Sequence, residues 1–295
     1  MRKVLILSLL LVGISWAGKA QEVVPATEVF PLLGYPRDAA AAGMAGAGSV
    51  LPSRAAYAVF GNPAAAAFAP EKVAAGVSYG LWKPLGTSHV NAAAALRLGA
   101  SLTVQGGVAW QQTPEQSYGY APRDLVGALG FAVAFGGHWG LGVSARYVHQ
   151  QLLPETSLAG MSFSVMGQYH AGGLDVAAGL ANLGGKVGGA ALPSSARLAA
   201  AYTLTLAGDH AFRLALDGDY FFLGGLGLSA GAEYGFRDLA FLRLGYRYAS
   251  QGVTLPSHLA FGLGVKYWGV RLDVAYLTAN PYMGSSLMAG LSFAF

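Results

Sequence analysis

The stretch Val270-Arg271-Leu272-Asp273-Val274-Ala275-Tyr276 places large apolar side chains on one parity and Arg271, Asp273 and Ala275 on the other. Alternate residues of a β-strand point to opposite faces, so the stretch reads as a strand with one greasy side and one ionic side. The rhythm recurs from Lys72 onward. Val73, Ala75, Val77, Tyr79 and Leu81 form the first apolar set. Val90, Ala92, Ala94 and Leu96 form the second, opposite His89, Asn91 and Arg97. Leu102, Val104, Val108 and Trp110 form the third, opposite Thr103, Gln105 and Gln111. Further stretches run over 125–135, 139–149, 158–169, 174–182, 196–206, 212–220, 226–234, 239–248, 259–267, 270–278 and 287–295, which makes fourteen.

Composition says what such strands are for. Of the 295 residues 54% are hydrophobic and 11% charged, yet beyond the N-terminus no apolar run is long enough for a spanning helix. Only helices and closed barrels satisfy every backbone N–H and C=O in hydrocarbon, so a membrane chain without spanning helices is expected to be a barrel. The 43 glycines agree, since glycine weakens helices but is accepted where barrel strands bend or the lumen is crowded. They show no three-residue period, which excludes collagen.

Charge placement sharpens the reading, because a lipid-facing Arg or Lys near the midplane costs roughly 2–4 kcal/mol. Within the strands Arg97, Arg146, Asp175, Arg197, Arg213, Asp217, Glu233, Arg247, Lys266, Arg271 and Asp273 all fall opposite the large apolar set. With Asp219 and Arg243 they are expected to form an ionic network in an enclosed lumen. Connections alternate as well. Those near 98–101, 136–138, 171–173, 207–209, 235–238 and 268–269 are tight, as on a periplasmic side. Between them lie 83–87, 111–123, 150–157, 183–195, 221–225, 249–257 and 279–286, the external set.

Trp82, Trp110, Trp139, Tyr147, Tyr169, Tyr220, Tyr234, Tyr267 and Trp268 at strand ends fit two aromatic girdles. A soluble β-sandwich with core aromatics is the competing reading. Fourteen strands that each keep one apolar face, without helices or cysteines, weigh against it.

Residues 1–20 read as a secretory signal: Arg2 and Lys3, an apolar run from Val4 to Trp16, then Gly18-Lys19-Ala20 before Gln21. Without Arg2, Lys3 and Lys19, fifteen basic residues face fourteen acidic ones, scattered singly, which excludes a nucleic-acid surface. The absence of cysteine excludes disulfides, thiolate metal sites and a lipid-anchoring cysteine. Residues 21–71 do not alternate and are rich in Ala and Gly, too apolar for a solvated tail and too glycine-rich for a stable isolated helix. They are expected to fold as a hatch inside or under a barrel formed by 72–295. Phe293 and Phe295, with Leu291 and Ala289 alternating behind them, fit the terminal signal read by the barrel assembly machinery.

Several segments carry a family resemblance. Pro36-Arg37-Asp38-Ala39-Ala40 leading to Gly46-Ala47-Gly48, then Gly61-Asn62-Pro63-Ala64, resembles the N-terminal region of the PorV/PorQ family of Bacteroidota outer-membrane proteins, distant relatives of the FadL fatty-acid channel. Similar pieces are Gly179-Leu180-Ala181-Asn182-Leu183-Gly184, Gly231-Ala232-Glu233-Tyr234, 242–248, 262–267 and 272–276. The resemblance implies a fourteen-stranded FadL-like barrel tied to type IX secretion. Its partners would be a larger translocon barrel, or a surface protein held by external loops, besides outer-membrane lipid.

Chemical motifs are weak beside these signals. The six histidines show no ligand spacing, and girdle or turn roles are expected for them. Ser144, Ser162 and Ser164 near His149 or His170 suggest a hydrolytic pair only if a base and an orienting group converge. Asp217 and Asp219 share a face and are expected to neutralise Arg213, Arg243, Arg247 and Arg271 rather than act as paired catalytic carboxylates. The run 184–189 lacks the helix of a phosphate loop. Asn62-Pro63 marks a rigid hatch turn entering the first strand, or a point at which the hatch moves. The sequence therefore predicts a non-enzymatic barrel of the bacterial outer membrane without a cofactor. Its expected role is as an accessory of type IX secretion or, alternatively, as a channel for hydrophobic molecules with a greasy pocket of several hundred Å3.

Overall fold

The computed structural model describes residues 30–83, 86–115, 119–206, 208–250, 253, 255–278 and 285–295. The expected signal peptide and residues 21–29 of the expected hatch lie outside the described residues.

Fourteen antiparallel strands close on themselves. They are β1 (Val73–Trp82), β2 (Thr87–Leu98), β3 (Leu102–Gln112), β4 (Arg123–Phe135), β5 (Trp139–Leu153), β6 (Thr156–Ala171) and β7 (Leu174–Leu183). The second half comprises β8 (Ser195–Leu206), β9 (His210–Phe221), β10 (Leu226–Phe236), β11 (Ala240–Ala249), β12 (His258–Tyr267), β13 (Val270–Leu277) and β14 (Ser286–Ala294). Every strand pairs with its sequence neighbours, and β14 pairs with β1 from Ala74↔Ala294 to Trp82↔Ser286, so the sheet closes with no terminal edge strand.

The barrel is apolar outside and polar within. Leu214, Leu216 and Leu263 are at least 60% exposed, whereas Asn91, Gln105 and Arg146 are at most 1% exposed. That arrangement is unstable in water and stable in hydrocarbon. Tight turns occupy one rim, among them Gly172-Gly173 and Trp268-Gly269 with both residues at positive φ, as tight antiparallel turns require. By the general rule this rim is periplasmic.

Residues 30–69 line the inside of the wall. Asp38 accepts the Ala41 N–H at 2.7 Å and caps a one-turn helix, α1 (Ala39–Gly43). Gly46 and Gly48, at φ of +86° and +87°, turn the chain beyond it. Tight helical turns follow over Pro52–Phe60 and Pro63–Phe68. Glycine in the wall permits the docking: a Cβ at position 142 would lie 2.2 Å from the Ala64 nitrogen, and one at 245 would lie 2.1 Å from the Met44 carbonyl carbon. Both contacts are with backbone, which cannot swing aside.

Four expectations are corrected. The connection expected over 150–157 shrinks to residues 154–155, because β5 and β6 continue pairing beyond the hydrocarbon, where a strand needs partners but no apolar face. Trp82 leaves the girdle: it falls on the inward parity of β1, 4.4 Å from the Tyr35 ring and 5.1 Å from His89. His89 and His258 are buried inside the barrel rather than placed in a girdle or turn. Pro63 opens the Pro63–Phe68 turn instead of leading straight into β1.

Replacing Gly142 with Val is expected to destabilise the barrel by about 1–3 kcal/mol, since the inner segment must retreat from the wall. Gly127→Val, where nothing lies within 4 Å, is the near-neutral control. The urea midpoint for loss of the compact, heat-modifiable band on cold gels measures the difference.

Candidate functional site

The candidate site is the lumen, where strand residues on the inward parity meet the inner segment. Below α1, towards the periplasm, Glu233 of β10 accepts from Arg213, from Arg243 Nε at 2.5 Å and from Arg271 Nη2 at 3.1 Å. Asp273 meets Arg243 at 2.8 Å and Arg271 at 3.0 Å. The Arg271 and Arg243 guanidiniums lie 4.1 and 5.6 Å from the centroid of the buried Phe241 ring. Three cations thus share two carboxylates, and two of them share one aromatic face. In low dielectric such a cluster is stable only while every member keeps its partner.

On the external side the charges hold backbone instead. Asp217 accepts the Gly48 and Ser49 N–H groups at 2.5 and 3.3 Å. Asp219 receives Arg197 Nε at 2.8 Å, and the same guanidinium reaches Gly61 O at 3.2 Å. Asp217 and Asp219 are therefore not a carboxylate pair sharing a proton. Arg247 donates to Ser229 Oγ at 3.0 Å and to Leu255 O at 3.3 Å, and Ser229 in turn donates to Ala45 O.

Towards β5, β6 and β7 the partners are mostly neutral. Arg146, 1% exposed, donates to Val59 O at 3.2 and 3.3 Å and to Asn182 Oδ1. Gln105 holds Pro63 O at 2.9 Å. Gln168 holds Val50 O at 2.8 Å and Asp175 at 3.0 Å, and accepts from Asn62 Nδ2 at 2.7 Å. Asp175 also meets His170 at 2.7 Å. In the inner segment, Arg37 binds Leu32 O and Asn91. Burial draws its guanidinium down to about 9, against the opposing pull of Tyr35 and Asp124. Burial likewise raises the Asp38 carboxyl, opposed by Arg54 and the Ala41 N–H.

Two residues read as members of the network stand apart at the periplasmic rim. Lys266 meets Asp238 at 2.6 Å, and Arg97 holds Ala69 O and Pro70 O at 2.9 and 3.3 Å, where the inner segment leaves for β1. Phe293 lies half-buried in β14, and Phe295 exchanges backbone hydrogen bonds of 2.8 and 2.9 Å with Val73. The serines and histidines do not assemble: Ser144 receives Arg146, Ser164 receives the Asn182 N–H, and His149 lies on the outward parity. Among the described residues no group of His, Asp and Glu could hold a metal ion.

Sequence reading passed over Arg54, Gln168 and Asn182 as site residues. Gln168 stood on the inward parity, as Gln105 did, a usable signal. Asn182 sits at φ +56° in a bulge that turns both it and Ala181 inward, and no alternation rule reaches a bulge.

A cavity of about 110 Å3 remains between the inner segment and the external half of the wall. Leu33, Tyr35, Phe60 and Leu255 give it an apolar side, and Arg37, Arg197, Asp217 and Arg247 a charged one. Compared with the greasy pocket of several hundred Å3 expected of a channel, it is small and mixed in character.

A closed fourteen-stranded barrel with a hydrocarbon-facing exterior is a multi-pass outer-membrane β-barrel. Among solved structures it is similar to the Ralstonia pickettii toluene transporter TbuX, with a TM-score of 0.64 and 11% identity, covering 88% of this chain and 98% of that one. It is also similar to the monoaromatic hydrocarbon channel CymD (TM-score 0.61, 14% identity, 88% and 97% covered) and to a Pseudomonas aeruginosa FadL homologue (0.59, 12%, 94% and 100%). The fold is FadL-like. Comparison with protein-family descriptions gives no match, and none of the curated proteins matches the sequence.

Converting Glu233 to Gln strands Arg213 and leaves Arg243 and Arg271 to share Asp273, and is expected to cost about 3–5 kcal/mol of stability. Denaturant unfolding in detergent micelles, read by tryptophan fluorescence, measures it.

Proposed function

We propose that the barrel carries small hydrophobic molecules across the outer membrane, with the inner segment as the part that yields. One observation carries this reading: a cavity of about 110 Å3 lies between the inner segment and the wall, with Tyr35, Phe60 and Leu255 on its apolar side. An apolar cavity of roughly 150 Å3 holds one benzene ring, so a modest shift of the segment makes room for a monoaromatic molecule. The fold shared with a toluene transporter and a monoaromatic hydrocarbon channel supports the same substrate class. Proteoliposomes containing the protein are expected to take up toluene several-fold faster than protein-free vesicles. Equal rates would remove this reading.

The filled lumen favours a second reading, the type IX accessory role implied by the PorV/PorQ resemblance. With so many groups locked in pairs, activity would fall to the external rim, where Leu152, Leu153, Phe222 and Leu223 are exposed. Under this reading, mild-detergent purification of the native protein brings down a much larger outer-membrane barrel or a surface protein. A clean preparation lacking both speaks for transport instead.

A further inference from the structure

A second, smaller cavity of about 40 Å3 lies lower in the barrel, against β13 and β14. Arg271 and Ser292 place it in the periplasmic third, each within a few residues of the tight-turn rim. The larger cavity lies towards the other end, where Arg197, Asp219, Arg247 and Leu255 line it. Three residues line both: Asp38, Arg54 and Tyr57. The two spaces therefore follow one another along the barrel axis, and these side chains are the partition between them.

The three are held very differently. Asp38 is fixed as the cap of α1 through the Ala41 N–H at 2.7 Å. Tyr57 is wedged on β1, where its ring comes within 2.6 Å of the position a Cβ at Gly76 would occupy. Arg54 leaves the chain at a break in the Pro52–Phe60 turn, with φ −107° and ψ 19°. Its guanidinium spans from Ala47 O at 2.6 Å to Ala40 O at 3.3 Å, with Met44 Sδ at 2.9 Å. Every one of these acceptors is neutral, and among the described residues Arg54 forms no ion pair. Swinging it away breaks no direct carboxylate contact: it withdraws a charge that opposes the burial of Asp38, which keeps the Ala41 N–H, whereas withdrawing Arg213, Arg243 or Arg271 from Glu233 breaks an ion pair outright. The side chain is half-buried on a long flexible stem, so water or solute can take its place.

We propose that Arg54 is the removable bolt of an axial passage: when its guanidinium swings off Ala47 O and Ala40 O, the external cavity joins the periplasmic one and solute moves between them. This rests on the reading that the barrel carries small hydrophobic molecules, and it names the residue that limits their size and rate.

The test compares the full-length protein with Arg54→Ala and Arg54→Lys in planar-bilayer conductance and in toluene uptake by proteoliposomes. Arg54→Ala is expected to raise both several-fold. Arg54→Lys, which keeps the charge but cannot span both carbonyls, is expected to fall between. If wild type takes up toluene and Arg54→Ala changes neither readout, the bolt is overturned and the transport reading stands. If Arg54→Ala conducts ions but neither protein carries toluene, the partition is upheld and the substrate class fails. If neither protein conducts or carries toluene, both fall. Should Arg54→Ala not assemble, as judged by heat-modifiability, Arg54→Gln keeps part of the stem, shortens the span and is read by the same criteria.

Discussion

In hydrocarbon there is no water to accept an N–H or to donate to a C=O, so each polar group left on a strand edge costs several kcal/mol. Closure of β14 on β1 removes that cost for the whole sheet at once. Once the ladder closes, each strand has one face fixed outward and one inward, and a residue's place in the sequence decides its solvent. Leu216 meets lipid and Asp217 meets the lumen because they are consecutive. The apolar exterior, the buried charges and the docking of residues 30–69 all follow from that single geometric requirement.

The lumen is organised by a second constraint, the satisfaction of the inner segment's backbone. Short turns leave many carbonyls and N–H groups without helical partners, and the wall supplies them: Asp217 to Gly48 and Ser49, Gln105 to Pro63, Gln168 to Val50, Arg146 to Val59. Where contact is closest the wall offers glycine, as at Gly142 and Gly245. Polar residues and glycines on the inward parity are thus a mould of the segment they surround.

The barrel was legible in the sequence because a period of two is a local signal that needs no knowledge of distant contacts. Strand number, facing and most turns could be read from it. Errors arose where pairing continued without alternation, as between Gln150 and Ser157, or where an aromatic at a strand end lay on the inward parity, as Trp82 does. The lumen was less readable. That Asp217 would grip backbone while Asp219 met Arg197 depends on the path of residues 46–61, which follows no period. Arg54 is a lone cation in an alanine-rich stretch, and its meaning exists only once two cavities lie on either side of it.

The bulge at Asn182 leaves its mark on the wall. Above the Phe163↔Leu183 pair, β6 has β5 on one side but no strand on the other. Residues 184–194 cover it there, with Gly184 so close to Met161 O that an added Cβ would lie 2.5 Å away, and with Leu192 buried beneath. A loop closes this stretch with packing contacts such as Val187 against Gly160, not with a ladder, so the cylinder has a seam. Resistance to deformation is expected to differ around its circumference and to be least along that line.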